Sequence, residues 1–241
     1  MSGNGHGAGG VVGGPSGELP ARALAPFIQH TLISAGVTRE EILTHARETA
    51  AYGFAAAMVP ASWCAVVVAE LAGTGIPVAS ALDFPTVGVM TSRGKAAEAA
   101  EIARLGAAEI DIGVQVGWLR SGLHREFRDD IAGVVAAAGI PIKVMLELPL
   151  LTPAERDLAV ELACEAGAAW LKNASSQRVG VADPASVAYL VARAAGRARV
   201  KASGGIATAD QARALLAAGA ELLGTSAGIA IVTDTAGAAA Y

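Results

Sequence analysis

Residues 169–226 read AWLKNASSQRVGVADPASVAYLVARAAGRARVKASGGIATADQARALLAAGAELLGTS. Three short apolar runs, 169–174, 199–203 and 221–226, are separated by two Ala-rich stretches, 184–195 and 209–218, whose apolar residues recur at helical spacing. Strand, helix, strand, helix, strand in that order is the pattern of a parallel α/β fold.

The same alternation extends backwards through the chain. Strand-length runs occur at FAAAMVP (54–60), PVASALDF (77–84), EIDIGVQV (109–116) and IKVMLEL (142–148). Helical stretches follow at 62–73, 92–106, 122–138 and 153–166, several opened by a Ser, Thr or Asp able to cap a helix N-terminus. That makes seven strands. FIQHT (27–31), followed by a helix over 38–52, supplies an eighth, and eight strands alternating with helices predict a closed (β/α)8 TIM barrel in one domain spanning 21–234. The competing architecture is an open doubly wound sheet, but no GxGxxG turn follows the first strand to support a dinucleotide site.

Composition excludes several classes of function. The chain has 241 residues, 53% of them hydrophobic and only 4% aromatic, which suits small-residue helices packed on branched-residue strands. A net charge of −4, with 18 Lys and Arg scattered rather than clustered, leaves no footprint for nucleic acid. No apolar run is long enough for a membrane span, so no membrane partner is expected. Cys64 and Cys164 lack metal-ligand spacing and fit a reduced, cytoplasmic setting. Residues 1–20 hold eight glycines and two prolines without the charged and apolar regions of a signal peptide, and are expected to be a disordered tail in which His6 is inert. Residues 235–241 are expected to form a flexible C-terminal tail.

The chemistry is signalled by lysine. Only Lys95, Lys143, Lys172 and Lys201 occur, and three of the four lie inside predicted strands. Strand side chains alternate faces, so Lys172 shares a side with Trp170 and Lys201 with Ser203. If the opposite sides meet the helices, both ammonium groups point into the barrel from neighbouring strands, near the C-terminal mouth where barrel active sites form. Lost hydration and mutual repulsion then push one of the pair toward the neutral amine, which is how a nucleophilic lysine is made. Asp111 faces inward with Glu109 from the fourth strand, and can move protons beside the amine as well as pair with Lys201. Lys143, early on its strand, is expected to neutralise a buried carboxylate, and Glu109 to be a structural partner.

Two glycine-bearing turns complete the picture. Ser203-Gly204-Gly205 follows the seventh strand, and Gly224-Thr225-Ser226 leads into Gly228 after the eighth. Loops after the last two strands of a barrel commonly bind phosphate through backbone N–H groups. Ser203, Gly204, Gly205, Gly224 and Ser226 are therefore candidate contacts for a small carbonyl or sugar-phosphate substrate.

In IQHTLI, EIDIGVQVGWLRSG, IKVMLELPLLT, AGAAWLKNA, VKASGGIATADQARALLAAGA and GTSAGIAIV, from about Phe27 to Val232, the chain resembles the deoxyribose-phosphate aldolase family. The resemblance implies a cofactor-free class I aldolase of TIM-barrel fold that joins acetaldehyde to glyceraldehyde 3-phosphate or performs the reverse cleavage. It implies that Lys172 forms the Schiff base, Lys201 is the neighbouring cation that lowers its pKa, and Asp111 serves the proton relay.

Departures from the family pattern cluster at the same places. Gln29 stands where the family has Asp, removing one charge from the lysine network. Lys172-Asn173-Ala174-Ser175-Ser176 replaces K-T-S-T-G, Met58 replaces a cysteine, Pro60-Ala61 replaces Asn-Pro, and Asp83-Phe84-Pro85 replaces G-F-P, adding a carboxylate near the mouth. The preferred expectation is retained imine chemistry on an altered substrate. The alternatives are the family's standard reaction, and a barrel that binds or isomerises a sugar phosphate without an imine. A further one is a lyase or cyclase acting on an unphosphorylated carbonyl compound, whose carboxylate would meet Arg178. Tyr241 is either a proton donor folded over the mouth or an unstructured end. A homodimer is expected.

Overall fold

The computed structural model describes residues 19–235 and 237. Among them eight strands close into a barrel in chain order: β1 Ile28–Thr31, β2 Ala56–Pro60, β3 Val78–Leu82, β4 Glu109–Gly113, β5 Ile142–Met145, β6 Trp170–Lys172, β7 Arg199–Ser203 and β8 Leu222–Thr225. The helices are α1 Arg39–Tyr52, α2 Cys64–Glu70, α3 Ser92–Arg104, α4 Val116–Arg120, α5 His124–Ala138, α6 Pro153–Glu165, α7 Pro184–Ala194, α8 Ala209–Ala217 and α9 Gly228–Thr233. This is the expected (β/α)8 barrel. β1 closes it, pairing in parallel with β2 on one side and β8 on the other, so the open doubly wound sheet is ruled out.

Helix starts follow local side-chain chemistry. Thr38, Thr152 and Thr208 each accept a bond from the N–H three residues on, while Glu41, Glu155 and Gln211 accept in return from the cap's own N–H. These reciprocal pairs satisfy donors that a helix leaves orphaned at its first turn. Asp183 does the same for Ser186 N–H ahead of Pro184, the first residue of α7.

Several predicted strands are shorter than their apolar patterns, β4 and β5 among them. β4 ends at Gly113, where a Cβ would lie 2.7 Å from both Asp83 O and Val87 Cγ1. The chain then turns into α4 instead of extending to residue 116. β5 ends at Met145 because Glu147 takes a left-handed conformation, φ 53°.

The sheet separates two environments. Ile110, Ile112, Val144, Leu171, Val200, Ala202 and Leu223 face outward into the continuous apolar core beneath the helices. Inside the barrel the apolar cluster is small, Ala56, Met58 and Ala79, and lysines and carboxylates share the remaining space with Met145 and Trp170. The N-terminal end is closed by Trp170, over whose ring the Arg199 guanidinium sits at 3.8 Å, itself paired with Glu221 at 2.8 Å.

Lys95 forms a second buried charge cluster, between α3 and α5. Its Nζ lies 2.7 Å from Asp130 and 3.4 Å from Asp83, and donates to Gly113 O at 2.9 Å, with all three charged side chains fully buried. Asp83 in turn accepts from the N–H groups of Gly88, Val89 and Met90. The carboxylate expected near the mouth is thus used in folding the loop after β3. Lys95→Met leaves two buried carboxylates without their cation, and is expected to lower unfolding free energy by about 3 kcal/mol. Urea denaturation of the variant checks this.

At the chain ends, Leu19 O accepts from Arg213 Nε at 2.8 Å, and Thr235 N–H donates to Ala230 O at 3.0 Å. The rest of the predicted N-terminal tail with His6, residue 236, and residues 238–241 with Tyr241 lie outside the described residues. No helix among the described residues is long and apolar enough to cross a membrane.

Candidate active site

Parallel register brings the inward side chains of β4 to β7 into two adjoining levels. Asp111 is paired with Lys143, and Lys143 with Trp170; Met145 is paired with Lys172, and Lys172 with Lys201. Lys172 is the last residue of β6 and Lys201 the middle residue of β7, so neighbouring strands present two amines side by side.

Asp111 sits at the centre of this arrangement. Its Oδ2 accepts from Lys201 Nζ at 2.7 Å and from Lys172 Nζ at 3.0 Å, and its Oδ1 lies 3.6 Å from Lys143 Nζ. Burial of the carboxyl is complete and would raise its pKa. The opposing fields of Lys201, Lys172 and Lys143 outweigh it and hold the pKa well below the usual carboxylate range, so Asp111 is ionised at neutral pH. Lys143 also pairs with Glu109 at 2.7 Å, the structural role expected of both, but it adds a third ammonium beside Asp111.

Gln29 does more than remove a charge. Fully buried on β1, it accepts from Lys201 Nζ through Oε1 and donates to Glu109 through Nε2. The amide therefore bridges Lys201 to the Glu109–Lys143 pair, a link that an acceptor-only aspartate could not make in both directions.

Lys201 is 1% exposed, and its pKa is lowered from 10.5 to about 7. Loss of hydration is the main cause and repulsion from Lys172 and Lys143 adds to it, while Asp111 opposes both. Between pH 7 and 10.5 the unfolded chain binds a proton at this position that the native chain does not, so the Lys201 contribution makes stability rise with pH across that window. Lysine-selective NMR is expected to show the Lys201 signal titrating near pH 7. A midpoint near 10.5 would contradict the burial argument.

The loop after β6 is built inward. Asn173, Ala174, Ser175 and Ser176 are all buried, while Arg178 is exposed. Asn173 clasps Ser203 in both directions, its Nδ2 donating to Ser203 O at 3.0 Å and its Oδ1 accepting from Ser203 N at 2.9 Å. Ser203 Oγ donates to Ala174 O at 3.1 Å, which ties this candidate substrate contact to the neighbouring loop. Glu147 accepts from Ser175 N–H at 2.9 Å, and its pKa is raised by burial against the pull of Ser175 and Lys172. Sequence reasoning missed Glu147 as part of the site because a strand pattern does not announce a left-handed residue.

The candidate phosphate residues fall in two places. Ser203 is paired in register with Gly224, and Gly204 and Gly205 follow it with φ of 109° and 68°. A Cβ on Gly204 would stand 2.4 Å from Gly180 O, so the glycine is required by the crossing backbone whether or not an anion binds. Ser226 lines a cleft between β1, α1 and α9 together with His30 and His45.

A scan of protein-family models gave no match. Individual proteins do match. Over 203 residues the chain is 39% identical to deoxyribose-phosphate aldolase of Thermosynechococcus vestitus, covering 84% of this chain and 93% of that protein. Over 224 residues it is 40% identical to deoxyribose-phosphate aldolase of Rhodospirillum rubrum, covering 91% and 94%. The fold superposes on the deoxyribose phosphate aldolase of Aeropyrum pernix, described as tetrameric, with a TM-score of 0.81 at 28% identity, covering 89% of this chain and 91% of that one. With this identity sustained over nearly the whole length of its relatives, the chain belongs to the deoxyribose-phosphate aldolase family and is an aldolase, a carbon–carbon lyase.

Proposed function

We propose that this aldolase works through a Schiff base on Lys172 and cleaves 2-deoxyribose 5-phosphate to acetaldehyde and glyceraldehyde 3-phosphate, or runs the reverse addition. The observation that carries the imine reading is the single Asp111 oxygen shared by Lys172 and Lys201 inside a closed barrel. The names of the relatives carry the substrate.

In the cleavage direction the Lys172 amine attacks C1 of the open-chain aldehyde and water is expelled, leaving a protonated imine. The C3 hydroxyl gives up its proton to a base, directly or through one water, with Asp111 as the relay. The C2–C3 bond then breaks, its electron pair passes into the imine, and glyceraldehyde 3-phosphate leaves. Protonation of the remaining enamine at C2 and hydrolysis release acetaldehyde and restore the amine. Lys201 holds Asp111 in place and supplies the neighbouring positive charge. Ser203, Gly204, Gly205, Gly224 and Ser226 are assigned to the phosphate side of the substrate by their place after β7 and β8.

Two other readings have an observation behind them. Lys201, lowered to about 7, has the free amine that a nucleophile needs, so it competes with Lys172 for the imine. Lys172 is favoured by its place at the mouth-facing end of β6 and its greater side-chain exposure, 5% against 1%. An altered acceptor is favoured by the buried Asn173–Ser176 loop that replaces the family's K-T-S-T-G.

The test is to incubate the enzyme with acetaldehyde, reduce with borohydride, and measure intact mass and residual activity. One added ethyl group per chain with loss of activity is expected. Full aldolase activity and no added mass would mean that cleavage does not pass through an imine. Comparing glyceraldehyde 3-phosphate with unphosphorylated glyceraldehyde as acceptor then separates the standard substrate from an altered one. A homodimer is proposed as the assembly, checked by light scattering.

A further inference from the structure

On the outer face of β1, opposite the lysine network, His30 packs beneath α1. It stacks on His45 with ring centroids 4.4 Å apart, and its Nε2 lies 3.8 Å from Glu48 Oε2. His45 and Glu48 are three residues apart on α1 and so share one helix face. Donor atoms of His30, His45 and Glu48 all lie within 4.8 Å of one another. Both histidines are 4% exposed, and His30 Nδ1 and His45 Nε2 have no hydrogen-bond partner. A buried imidazole nitrogen without a partner forfeits its hydration for nothing, and such an atom calls for an explanation.

The surroundings supply one. The three side chains line a cleft of about 740 Å³, whose wall carries Glu40, Glu41 and Glu48 but no lysine or arginine among the described residues. At 3.8 Å the His30–Glu48 contact is too long for a hydrogen bond.

We propose that His30, His45 and Glu48 form a zinc site on the flank of the barrel, with a fourth position open to the cleft. Two imidazoles and one carboxylate are a donor set that zinc takes with a free coordination position. Donors on a tetrahedral zinc stand about 3.4 Å apart. The set must therefore draw in, and the Glu48 side chain, 40% exposed at the cleft, has room to move. The ion would clamp α1 to β1 and bring a positive charge to a wall that is otherwise acidic. It shares its cleft with Ser226, one of the residues assigned to the substrate phosphate, but takes no part in the proposed imine chemistry, which needs no metal.

The experiment uses the full-length protein carrying His6→Ala, which removes a competing histidine from the N-terminal segment, and zinc alone, titrated against a chromophoric chelator. The expected result is one zinc per chain at micromolar affinity or better. His45→Leu and Glu48→Gln are each expected to weaken it by at least about 100-fold, since even outer-shell partners of metal ligands are worth about 10- to 100-fold. Glu48→Gln changes a partly exposed side chain and keeps the fold, which circular dichroism verifies. Cobalt in place of zinc is expected to give the visible bands of a four-coordinate ion in the parent and to lose them in this variant. Zinc bound equally well by both variants, or not bound by the parent at micromolar concentration, overturns the proposal. Neither result bears on the lysine chemistry, because aldol cleavage is not the readout.

Discussion

Lys172→Met is expected to lower kcat for aldol cleavage by about 10⁴- to 10⁶-fold, the loss seen when an enzyme loses its covalent nucleophile. Methionine matches the length of the stem but has no amine, so no imine forms. The fold should survive, because Asp111 keeps Lys201 at 2.7 Å and Lys143 at 3.6 Å. Lys172→Arg separates charge from chemistry. It retains a cation beside Asp111, yet guanidinium does not act as an amine nucleophile, so activity is expected to stay at the level of the methionine variant. Initial rates in an assay coupled to the aldehyde product, with thermal melting as the control for folding, check both. A variant retaining about a tenth of wild-type kcat would show that position 172 is not the nucleophile.

Asp111→Asn is expected to damage both stability and catalysis. Three lysine side chains converge on this carboxylate, and removing its charge leaves their positive charge buried without compensation, a loss of about 3 to 5 kcal/mol near neutral pH. The pH dependence carries the signature. The folded pKa of Asp111 lies below its unfolded value, so its contribution is complete above the unfolded pKa and fades as the pH falls toward the folded one. The deficit of the variant should therefore shrink on acidification below about pH 4, where the wild type also loses the contribution. It should shrink again as the pH rises through about 7, where Lys201 releases its proton. A deficit independent of pH would mean that the introduced amide harms packing and not charge. Loss of the relay is expected to lower kcat by about 10²- to 10⁴-fold in addition.

Much of the barrel was legible because its units are local. Alternating strand and helix patterns located all eight strands, including the short FIQHT, and the threonine caps marked where α1, α6 and α8 begin. Helix α4 was not legible, since five residues hold too little period to stand out from the end of an apolar strand. The lysine and carboxylate cluster could be anticipated because period-2 alternation fixes which face a strand residue takes, and neighbouring strands fix which residues meet.

What depended on distant pairing escaped the sequence. Nothing in the helical stretch 92–106 marks Lys95 as buried until Asp83 and Asp130 are brought to it from two other segments. Gln29 reads as a lost charge, whereas its amide bridges Lys201 and Glu109 across the barrel. Asn173 reads as a broken motif, but it clasps Ser203 on the next strand. His30 and His45 carry no spacing signal because one lies on a strand and the other on the following helix.

The proposed chemistry depends on which of two adjacent amines carries the substrate carbon. Peptide mapping of the enzyme after reduction with borohydride in the presence of acetaldehyde answers this directly. The ethyl group is predicted on Lys172, with Lys201 recovered unmodified. An ethyl group on Lys201 alone, or on neither lysine, would contradict the assignment.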